Sequence, residues 1–306
     1  MSEMYRAILA TRSDMTEWLI HSTRRIGDVH PATMLAKILC EGVLRPGFAF
    51  RGNPERATIY GPHSAVCFSE QPLDAFANCV RARGAIGSMA PYGILVHKHD
   101  VYVAGGLPVI YGHGGCVELG YGQDGFDATR RLLRPTDLPF DEQHRYVAFA
   151  PTRKPHPMDW SHEREWRWPA NAFHARDQGL YYLTGEYWDG SRGHFEGRLV
   201  AFVALDREVE WLQRAVADSI ASFAGVIPGG RWGDYSEEWT PKIGRVAIVS
   251  LETVEREVAA GNSAFARLET IDLDSLPSLR APKGRPARPR HQPDVVRATA
   301  RPRRPQ

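Results

Sequence analysis

A chain of 306 residues in which 43% are hydrophobic and 24% are charged can bury a sizeable core, which excludes fibrous and collagen-like proteins. The longest apolar run, residues 199–205, is far too short to cross a bilayer, and the N-terminus lacks a signal-peptide pattern. We therefore expect a cytoplasmic protein with no membrane partner. The net charge of +2 is uneven: residues 280–306 hold nine basic residues and one acid and carry +8, which leaves −6 for residues 1–279.

Strands and helices alternate irregularly along the chain. Apolar residues at helical spacing predict a helix over 31–40, with Pro31 in its first turn and Gly42 just past its end. Further helices are predicted over 72–80, 206–223 and 251–260. Strands are predicted over 18–23, 65–69, 92–96, 107–111, 143–149, 162–168, 197–205 and 246–250. The strand at 107–111 is expected at a sheet edge because it contains Pro108. Without steady βαβ alternation, this order favours an α+β fold over a doubly wound sheet.

The C-terminal segment differs from the rest of the chain. After Ser278 the sequence is rich in Pro, Arg and Ala and almost devoid of large apolar residues, so it cannot offset the entropy of ordering. We predict one domain over 1–278 and a disordered basic tail over 279–306. Such a tail either attracts nucleic acid without sequence specificity or serves only to solubilise the protein.

The cysteines give no indication of a metal site or a disulfide framework. Cys40, Cys67, Cys79 and Cys116 are widely spaced and form no C-x-x-C pair. We expect them to act as small buried hydrophobes, and we expect no metal. The glycines between 112 and 125 match no phosphate-binding pattern, and the absence of G-x-S-x-G argues against a serine hydrolase.

The stretch 160–168 alternates aromatic with charged residues and contains two carboxylates two positions apart. On a strand, positions i and i+2 project from the same face, so Glu163 and Glu165 would point together into one site. Arg164 and Trp166 would then point the other way. A surface strand with scattered ion pairs and a buried Trp166 gives the same pattern, so both interpretations stand at this point.

Three short motifs occur in order: His21-Ser22-Thr23 at a strand end, a strand that ends in Phe68-Ser69, and Glu163-x-Glu165. This ordered set resembles the H-Y-E branch of the ADP-ribosyltransferase superfamily, which includes poly-ADP-ribose polymerases and DNA-modifying bacterial toxins. The chain also looks like bacterial abortive-infection proteins of the AbiGi-like kind, phage-defence proteins thought to share that fold. The stretches that carry this second likeness are 66–73, 92–94, 108–111 and 163–167. The resemblance covers roughly residues 18–168.

The resemblance implies a split antiparallel β-sheet core with flanking helices, which binds NAD in a cleft. His21 would hydrogen-bond the adenosine ribose, and the backbone of Ser22 and Thr23 would pair with the nicotinamide carboxamide. Arg24 and Arg51 would bind the pyrophosphate, since guanidinium groups suit paired phosphate oxygens. Arg25 is a further candidate of the same kind.

The same resemblance assigns roles to an aromatic ring and to the glutamates. Phe68 replaces the tyrosine of the family and would stack on the nicotinamide ring, with Tyr60 or Tyr92 as alternatives. Ser69 would support the glutamate geometry. Glu165 would stabilise the cation that develops on the ribose, and Glu163 would activate the acceptor, although the two glutamates could exchange roles.

The function implied is that of an NAD-dependent ADP-ribosyltransferase that acts on nucleic acid or protein. Its biological role would be that of a bacterial toxin or phage-defence effector, and an antitoxin is a further candidate partner. Two enzyme alternatives are an NAD glycohydrolase and an RNA 2′-phosphotransferase, and the latter needs several basic residues at its phosphate site. The non-enzyme alternative is a nucleic-acid-binding module that stacks bases on aromatic side chains. Its candidate platforms are Trp160, Trp166, Trp168, Tyr181, Tyr182 and Trp188.

Overall fold

The structure is a computed structural model that describes residues 11–41, 43–51, 56–83, 89–113, 131–154, 158–170, 180–181, 199–224, 246–269 and 271–279, together with Met4, Ala7 and Ile8. Cys116, Tyr182, Trp188 and the predicted tail from residue 280 lie outside the described residues. No helix in these ranges is long and apolar enough to span a membrane.

The strands follow in chain order as β1 Trp18–Ser22, β2 Val43–Leu44, β3 Phe50–Arg51, β4 Arg56–Ala57, β5 Ala65–Ser69, β6 Gly93–His97, β7 Leu107–Pro108, β8 Ile110–His113, β9 Tyr146–Phe149, β10 Glu165–Pro169, β11 Leu180–Tyr181, β12 Leu199–Val203 and β13 Ala247–Ser250. The helices with defined bounds are α1 Pro31–Glu41, α2 Leu73–Arg83, α3 Lys98–Val103, α4 Glu208–Ala224, α5 Leu251–Ala259 and α6 Ala264–Arg267. Short 3₁₀ helices cover Phe140–Arg145, Ser161–Glu163 and Leu273–Ser275.

A mostly antiparallel sheet lies at the centre of the described chain. Its seven strands follow the order β13-β12-β6-β1-β5-β10-β7. Strands β12 and β13 are parallel, and every other neighbouring pair in this sheet is antiparallel. The prediction of a mixed α+β protein with a large antiparallel sheet is therefore confirmed. The predicted strand 107–111 is divided: β7 lies at the sheet edge, as Pro108 predicted, whereas residues 110–111 belong to β8, which pairs with β9 outside this sheet.

Helices cover both faces of this sheet because successive strand residues project to opposite sides. One face, which includes Leu19, Ile94 and Ala201, packs in a single apolar cluster with residues of α1 and α4. The other face, which includes Ile20 and Phe202, packs with residues of α2 and α5. Strand β12 is buried along its whole length, which explains its uninterrupted apolar sequence.

The sheet is divided between β1 and β5. These strands pair at one position, Ile20 with Ser69, whereas β1 pairs with β6 at five positions and β5 pairs with β10 at five. Beyond that position, the His21 Nδ1–H donates to the carbonyl oxygen of Cys67 at 2.9 Å. That carbonyl is the acceptor that the next step of an antiparallel ladder would use, and the ladder between β1 and β5 does not continue there.

Two predicted strands begin later than expected. Residues 143–145 belong to the 3₁₀ helix Phe140–Arg145, because the Gln143 amide donates to the carbonyls of Leu133 and Leu138 at 2.7 and 2.9 Å. In the stretch 162–168, His162 and Glu163 lie in a 3₁₀ turn and β10 begins only at Glu165.

Leu279, which we placed at the start of the tail, lies within the described chain. Leu279 is buried, and its N–H donates to the Val246 carbonyl at 3.1 Å, so the folded body includes this residue.

Candidate active site

The divide between β1 and β5 opens into a cavity of about 370 Å³. This volume lies within the range of roughly 300–1,000 Å³ that small-molecule sites occupy. Its walls are the end of β1 with the residues that follow it, strand β5, helix α1, Glu163 from the 3₁₀ turn before β10, and Glu165 at the start of β10. Of the predicted site residues, the cavity brings together His21, Ser22, Thr23, Arg24, Phe68, Ser69, Glu163 and Glu165.

The His21 imidazole has a defined tautomer. A carbonyl oxygen only accepts hydrogen bonds, so the contact with Cys67 puts the hydrogen on Nδ1 and leaves Nε2 as an acceptor. Burial lowers the pKa of His21, and the positive charge of Arg24 acts in the same direction. At neutral pH the ring is therefore neutral, with a lone pair on Nε2. Its ring lies edge-on to Phe68, with 5.8 Å between the centroids.

The hydroxyl groups of Ser22 and Thr23 donate hydrogen bonds to backbone carbonyls of the protein itself. The Ser22 hydroxyl donates to the Ala90 carbonyl at 3.0 Å, and the Thr23 hydroxyl donates to the Pro31 and Tyr92 carbonyls at 3.0 Å. The Thr23 N–H donates to the Tyr92 carbonyl at 2.8 Å, on the β6 side. Because successive residues of an antiparallel strand direct their backbone groups to alternate neighbours, the N–H and C=O of Ser22 face the divide.

The three aromatic candidates lie in different places. Phe68 is buried and lines the cavity. The Tyr92 hydroxyl donates to Glu208 at 2.9 Å, which commits this side chain to helix α4. Tyr60 belongs to a separate apolar cluster, where its ring packs edge-on against Tyr146 at 4.9 Å. Among the described residues that line the cavity, Phe68 is therefore the aromatic that the structure brings to the site.

Glu165 is held by a buried guanidinium two residues along the same strand. Arg167 Nε donates to Glu165 Oε1 at 2.8 Å and Arg167 Nη2 donates to Oε2 at 3.2 Å, with side-chain exposures of 5% and 13%. Arg167 Nη1 also donates to the carbonyls of His144 and Tyr146 at 2.7 and 3.2 Å. The pair fixes the carboxylate in one orientation. Spacing i, i+2 on a strand could have predicted this contact, and our sequence reasoning missed it.

Glu163 lines the cavity from a turn, and not from a strand as we predicted. It ends a 3₁₀ turn in which its N–H donates to the Trp160 carbonyl at 3.0 Å, and Arg164 follows in the left-handed region with φ of 45°. The two glutamates therefore do not share the face of one strand, although both line the cavity. The prediction of a common strand face was wrong because the chain turns between them.

Strand β5 and the residues after it secure this turn. The Ser69 hydroxyl donates to the Glu163 carbonyl at 2.6 Å, and the Gln71 side chain donates to the His162 carbonyl at 2.7 Å. The Glu70 N–H donates to the Arg164 carbonyl at 3.2 Å. Ser69 thus positions Glu163 through the main chain, and no sequence signal indicated the contribution of Gln71.

A buried ionic network lies next to the same turn. Glu70 accepts from Lys98 Nζ at 2.9 Å and from the Trp166 indole at 2.8 Å, and the exposures of Lys98 and Glu70 are 8% and 9%. Arg164 approaches the same carboxylate at 3.4 Å and also contacts Asp14. Because a buried charge must be paired, this network accounts for Glu70 as a structural residue.

Three cations line the cavity in the described part of the chain: Arg24, Lys37 and Arg45. Lys37 and Arg45 both approach Glu41, at 3.7 and 3.1 Å. Arg24 is exposed and makes no ion pair with the described residues. Arg25 is exposed outside the cavity lining, and Arg51 lies in the two-residue strand β3. Sequence reasoning missed Lys37, which helical spacing on α1 alone does not single out, and Arg45, which follows β2.

Cys67 lies beside Glu165 in the cavity wall. Burial, and then the negative charge of Glu165, raise the pKa of the Cys67 thiol above its ordinary value. The group is therefore a protonated thiol at neutral pH and a poor nucleophile. No group of three or more His, Cys, Asp or Glu side chains suited to a metal ion occurs within the residues that the structure describes.

The aromatic residues proposed as stacking platforms divide into buried and exposed groups. Trp166 and Trp168 are buried, and their indole N–H groups donate to Glu70 and to the Ala104 carbonyl. Trp160 is partly exposed, and Tyr181 lies in strand β11.

The chain matches no protein-family model, and comparisons with curated proteins and with solved structures give no significant match.

Proposed function

We propose that this chain is an ADP-ribosyltransferase that cleaves the nicotinamide–ribose bond of NAD and transfers ADP-ribose to a macromolecule. The observation that carries the proposal is the divide in the sheet. It gathers a neutral imidazole, a backbone N–H and C=O pair, and two glutamates around one cavity. A divided antiparallel sheet of this kind fits the ADP-ribosyltransferase type that the sequence resembles.

The cavity offers binding partners for each part of NAD, the donor of ADP-ribose. The N–H and C=O of Ser22 form the donor and acceptor that a carboxamide requires, and Phe68 offers an apolar ring for the nicotinamide. His21 Nε2 accepts a hydrogen bond from a ribose hydroxyl. Arg24, which makes no ion pair with the described residues, is the cation for the pyrophosphate.

Glu165 is the group that we assign to bond cleavage. When the bond between ribose C1′ and the nicotinamide nitrogen breaks, its electron pair leaves with nicotinamide and positive charge develops on the ribose. A carboxylate fixed by two hydrogen bonds from Arg167 stabilises that charge without reorganising during the reaction. Glu163 accepts the proton that the acceptor loses as it bonds to C1′, and passes it to solvent.

The test is nicotinamide release from NAD labelled in its adenine ring, with cell lysate as the source of acceptors. We expect release and labelled macromolecules with the parent chain, and a loss of at least about a hundredfold in Glu165→Gln. Glu163→Gln should reduce transfer to the acceptor more than it reduces nicotinamide release. Glu210→Gln, on the exposed face of α4, is the matched control and should behave as the parent.

Two outcomes would contradict this assignment. The enzyme proposal fails if the folded parent chain releases no nicotinamide, and the role of Glu165 fails if Glu165→Gln retains the parent rate. Nicotinamide release with no labelled macromolecule would instead identify an NAD glycohydrolase. A part in bacterial toxicity or phage defence, with an antitoxin partner, rests on the resemblance and requires expression in cells with and without Glu165→Gln.

A further inference from the structure

Four aromatic side chains lie beside the two glutamates, and we call this group the aromatic platform: Tyr111, Phe149 and His162, which are exposed, and Trp160, which is partly exposed. The rings of Tyr111 and Phe149 meet edge-on with 6.3 Å between centroids, on the adjacent strands β8 and β9. The rings of Trp160 and His162 lie 6.2 Å apart and tilted by 33°. The Tyr111 hydroxyl joins the two pairs because it donates to the Trp160 carbonyl at 3.1 Å.

We propose that this platform binds the acceptor, and that the acceptor is a nucleobase of single-stranded nucleic acid. The inference rests on the proposed function and adds the substrate class. Stacking on aromatic rings is the usual way in which proteins bind unpaired bases.

The platform is anchored to both glutamates. The Trp160 carbonyl that accepts from the Tyr111 hydroxyl also accepts from the Glu163 N–H, at 3.0 Å. On the other side, the Val109 N–H donates to the Glu165 carbonyl at 3.0 Å, just before β8 begins. A base stacked on the platform therefore lies beside the carboxylates to which we assign cleavage and proton removal.

Three of the four side chains of the platform are exposed. Tyr111 and Phe149 expose 38% and 36% of their surface, and His162 is exposed as well. Tyr111 and Phe149 lie on a two-stranded parallel ladder outside the main sheet, so burial in the core of that sheet does not explain them. A cluster of exposed rings beside a cavity marks a binding surface more often than a scattered exposed residue does.

Charge distinguishes a nucleic acid from a basic protein acceptor. Arg153 and Lys154 are exposed and follow Ala150, which forms an isolated bridge with Met158 between Phe149 and Trp160. Neither cation makes an ion pair with a described residue, and both are available to phosphate oxygens. Asp159, which follows this turn, accepts from the Ser161 N–H and hydroxyl at 3.0 and 2.6 Å.

The transfer step balances without a further reactant. A ring or exocyclic nitrogen of the base donates an electron pair to ribose C1′ while the bond to nicotinamide breaks and nicotinamide leaves with that bond's electrons. The proton lost by the base nitrogen passes to Glu163 and then to water. The products are ADP-ribosylated base, nicotinamide and one proton.

The experiment uses the full chain with adenine-labelled NAD and short single-stranded DNA and RNA homopolymers of each base. Phe149→Ala and Lys154→Glu test the platform, and Trp211→Ala and Arg207→Glu are the matched controls, since Trp211 on α4 is also 36% exposed. We expect Phe149→Ala to raise the KM for the preferred oligonucleotide about tenfold, with less label per nicotinamide released. Lys154→Glu should weaken binding and reduce its salt dependence.

A second measurement separates this inference from the proposed function. Binding of the same fluorescent oligonucleotides is followed by anisotropy without NAD, so it does not depend on cleavage. Affinity that falls in Phe149→Ala but not in Trp211→Ala supports the platform even if the parent releases no nicotinamide. The inference is overturned if both variants bind and become labelled alike. It is also overturned if lysate proteins are labelled while no oligonucleotide is.

Discussion

The Glu165–Arg167 pair provides the sharpest test of the site's architecture, because a change to Glu165 must disturb folding as well as chemistry. The substitution Glu165→Gln keeps the size of the side chain but removes its negative charge. Arg167 is 5% exposed in its side chain and retains its two backbone carbonyl partners, His144 and Tyr146, but no charged partner among the residues described in contact with it. A nearly full positive charge is then left in the interior without its counter-ion.

The expected loss in the free energy of unfolding follows from that geometry. Removing one partner of a buried ion pair costs about 3–5 kcal/mol, and the Gln carbonyl still accepts one hydrogen bond, so we expect about 3 kcal/mol. Glu210→Gln breaks an ion pair with Arg214 whose side chains are 72% and 57% exposed, and it should cost less than about 0.5 kcal/mol. A domain whose free energy of unfolding is about 5–15 kcal/mol remains folded after Glu165→Gln, but with a smaller free energy of unfolding.

The assay is urea unfolding followed by tryptophan fluorescence and circular dichroism, for both variants and the parent. The double variant Glu165→Gln with Arg167→Met completes a mutant cycle, and the coupling energy between the two positions should exceed 1.5 kcal/mol, about the lower end for hydrogen-bonded charged groups. The reasoning is refuted if Glu165→Gln unfolds at the same urea concentration as Glu210→Gln. Activity assays of Glu165→Gln should be run at low temperature, where the folded fraction of both proteins is complete.

Three further predictions concern stability and positioning. Burial lowers the pKa of His144 from 6.5 to about 4, so on acidification the unfolded chain binds a proton before the folded chain does. The free energy of unfolding therefore falls as the pH drops below 6.5. Urea unfolding should show a decrease in this free energy between pH 7 and pH 5 that is about 1–2 kcal/mol larger in the parent than in His144→Asn. Gly93→Ala places a Cβ against the His21 carbonyl and should lower the free energy of unfolding by about 1–3 kcal/mol, measured by the same assay. Ser69→Ala removes the hydrogen bond to the Glu163 carbonyl, and it should cost about 1 kcal/mol and reduce transfer to the acceptor more than nicotinamide release.

Local sequence patterns predict most of the central sheet. Strands β5, β6, β12 and β13 were predicted with ends within one or two residues, because uninterrupted apolar runs of that length favour buried strands. Periodicity does not report which strands pair, however. Nothing in the order of residues indicates that β1 leaves β5 after one position, where His21 contacts a carbonyl 46 residues away.

The turn at Ser161–Glu163 illustrates the same limit at the site. The sequence around it alternates like a strand, but Ser69 and Gln71 bind the carbonyls of Glu163 and His162 from more than 90 residues away. Those contacts favour a turn over an extended chain. The partner of Glu165, in contrast, was within reach of sequence reasoning, because Arg167 occupies the same strand face two positions later.

The contact between His21 and the Cys67 carbonyl connects the fold with the proposed chemistry. It lies where the sheet divides, and there the backbone of Ser22 faces a cavity instead of a strand. The same contact commits the hydrogen to Nδ1 and leaves Nε2 as an acceptor. Across the divide, Arg167 fixes Glu165 through its side chain, and Ser69 fixes Glu163 through its main chain. Residues that would be read as structural therefore determine where each reactive group lies, and substitutions at them should alter activity before they abolish folding.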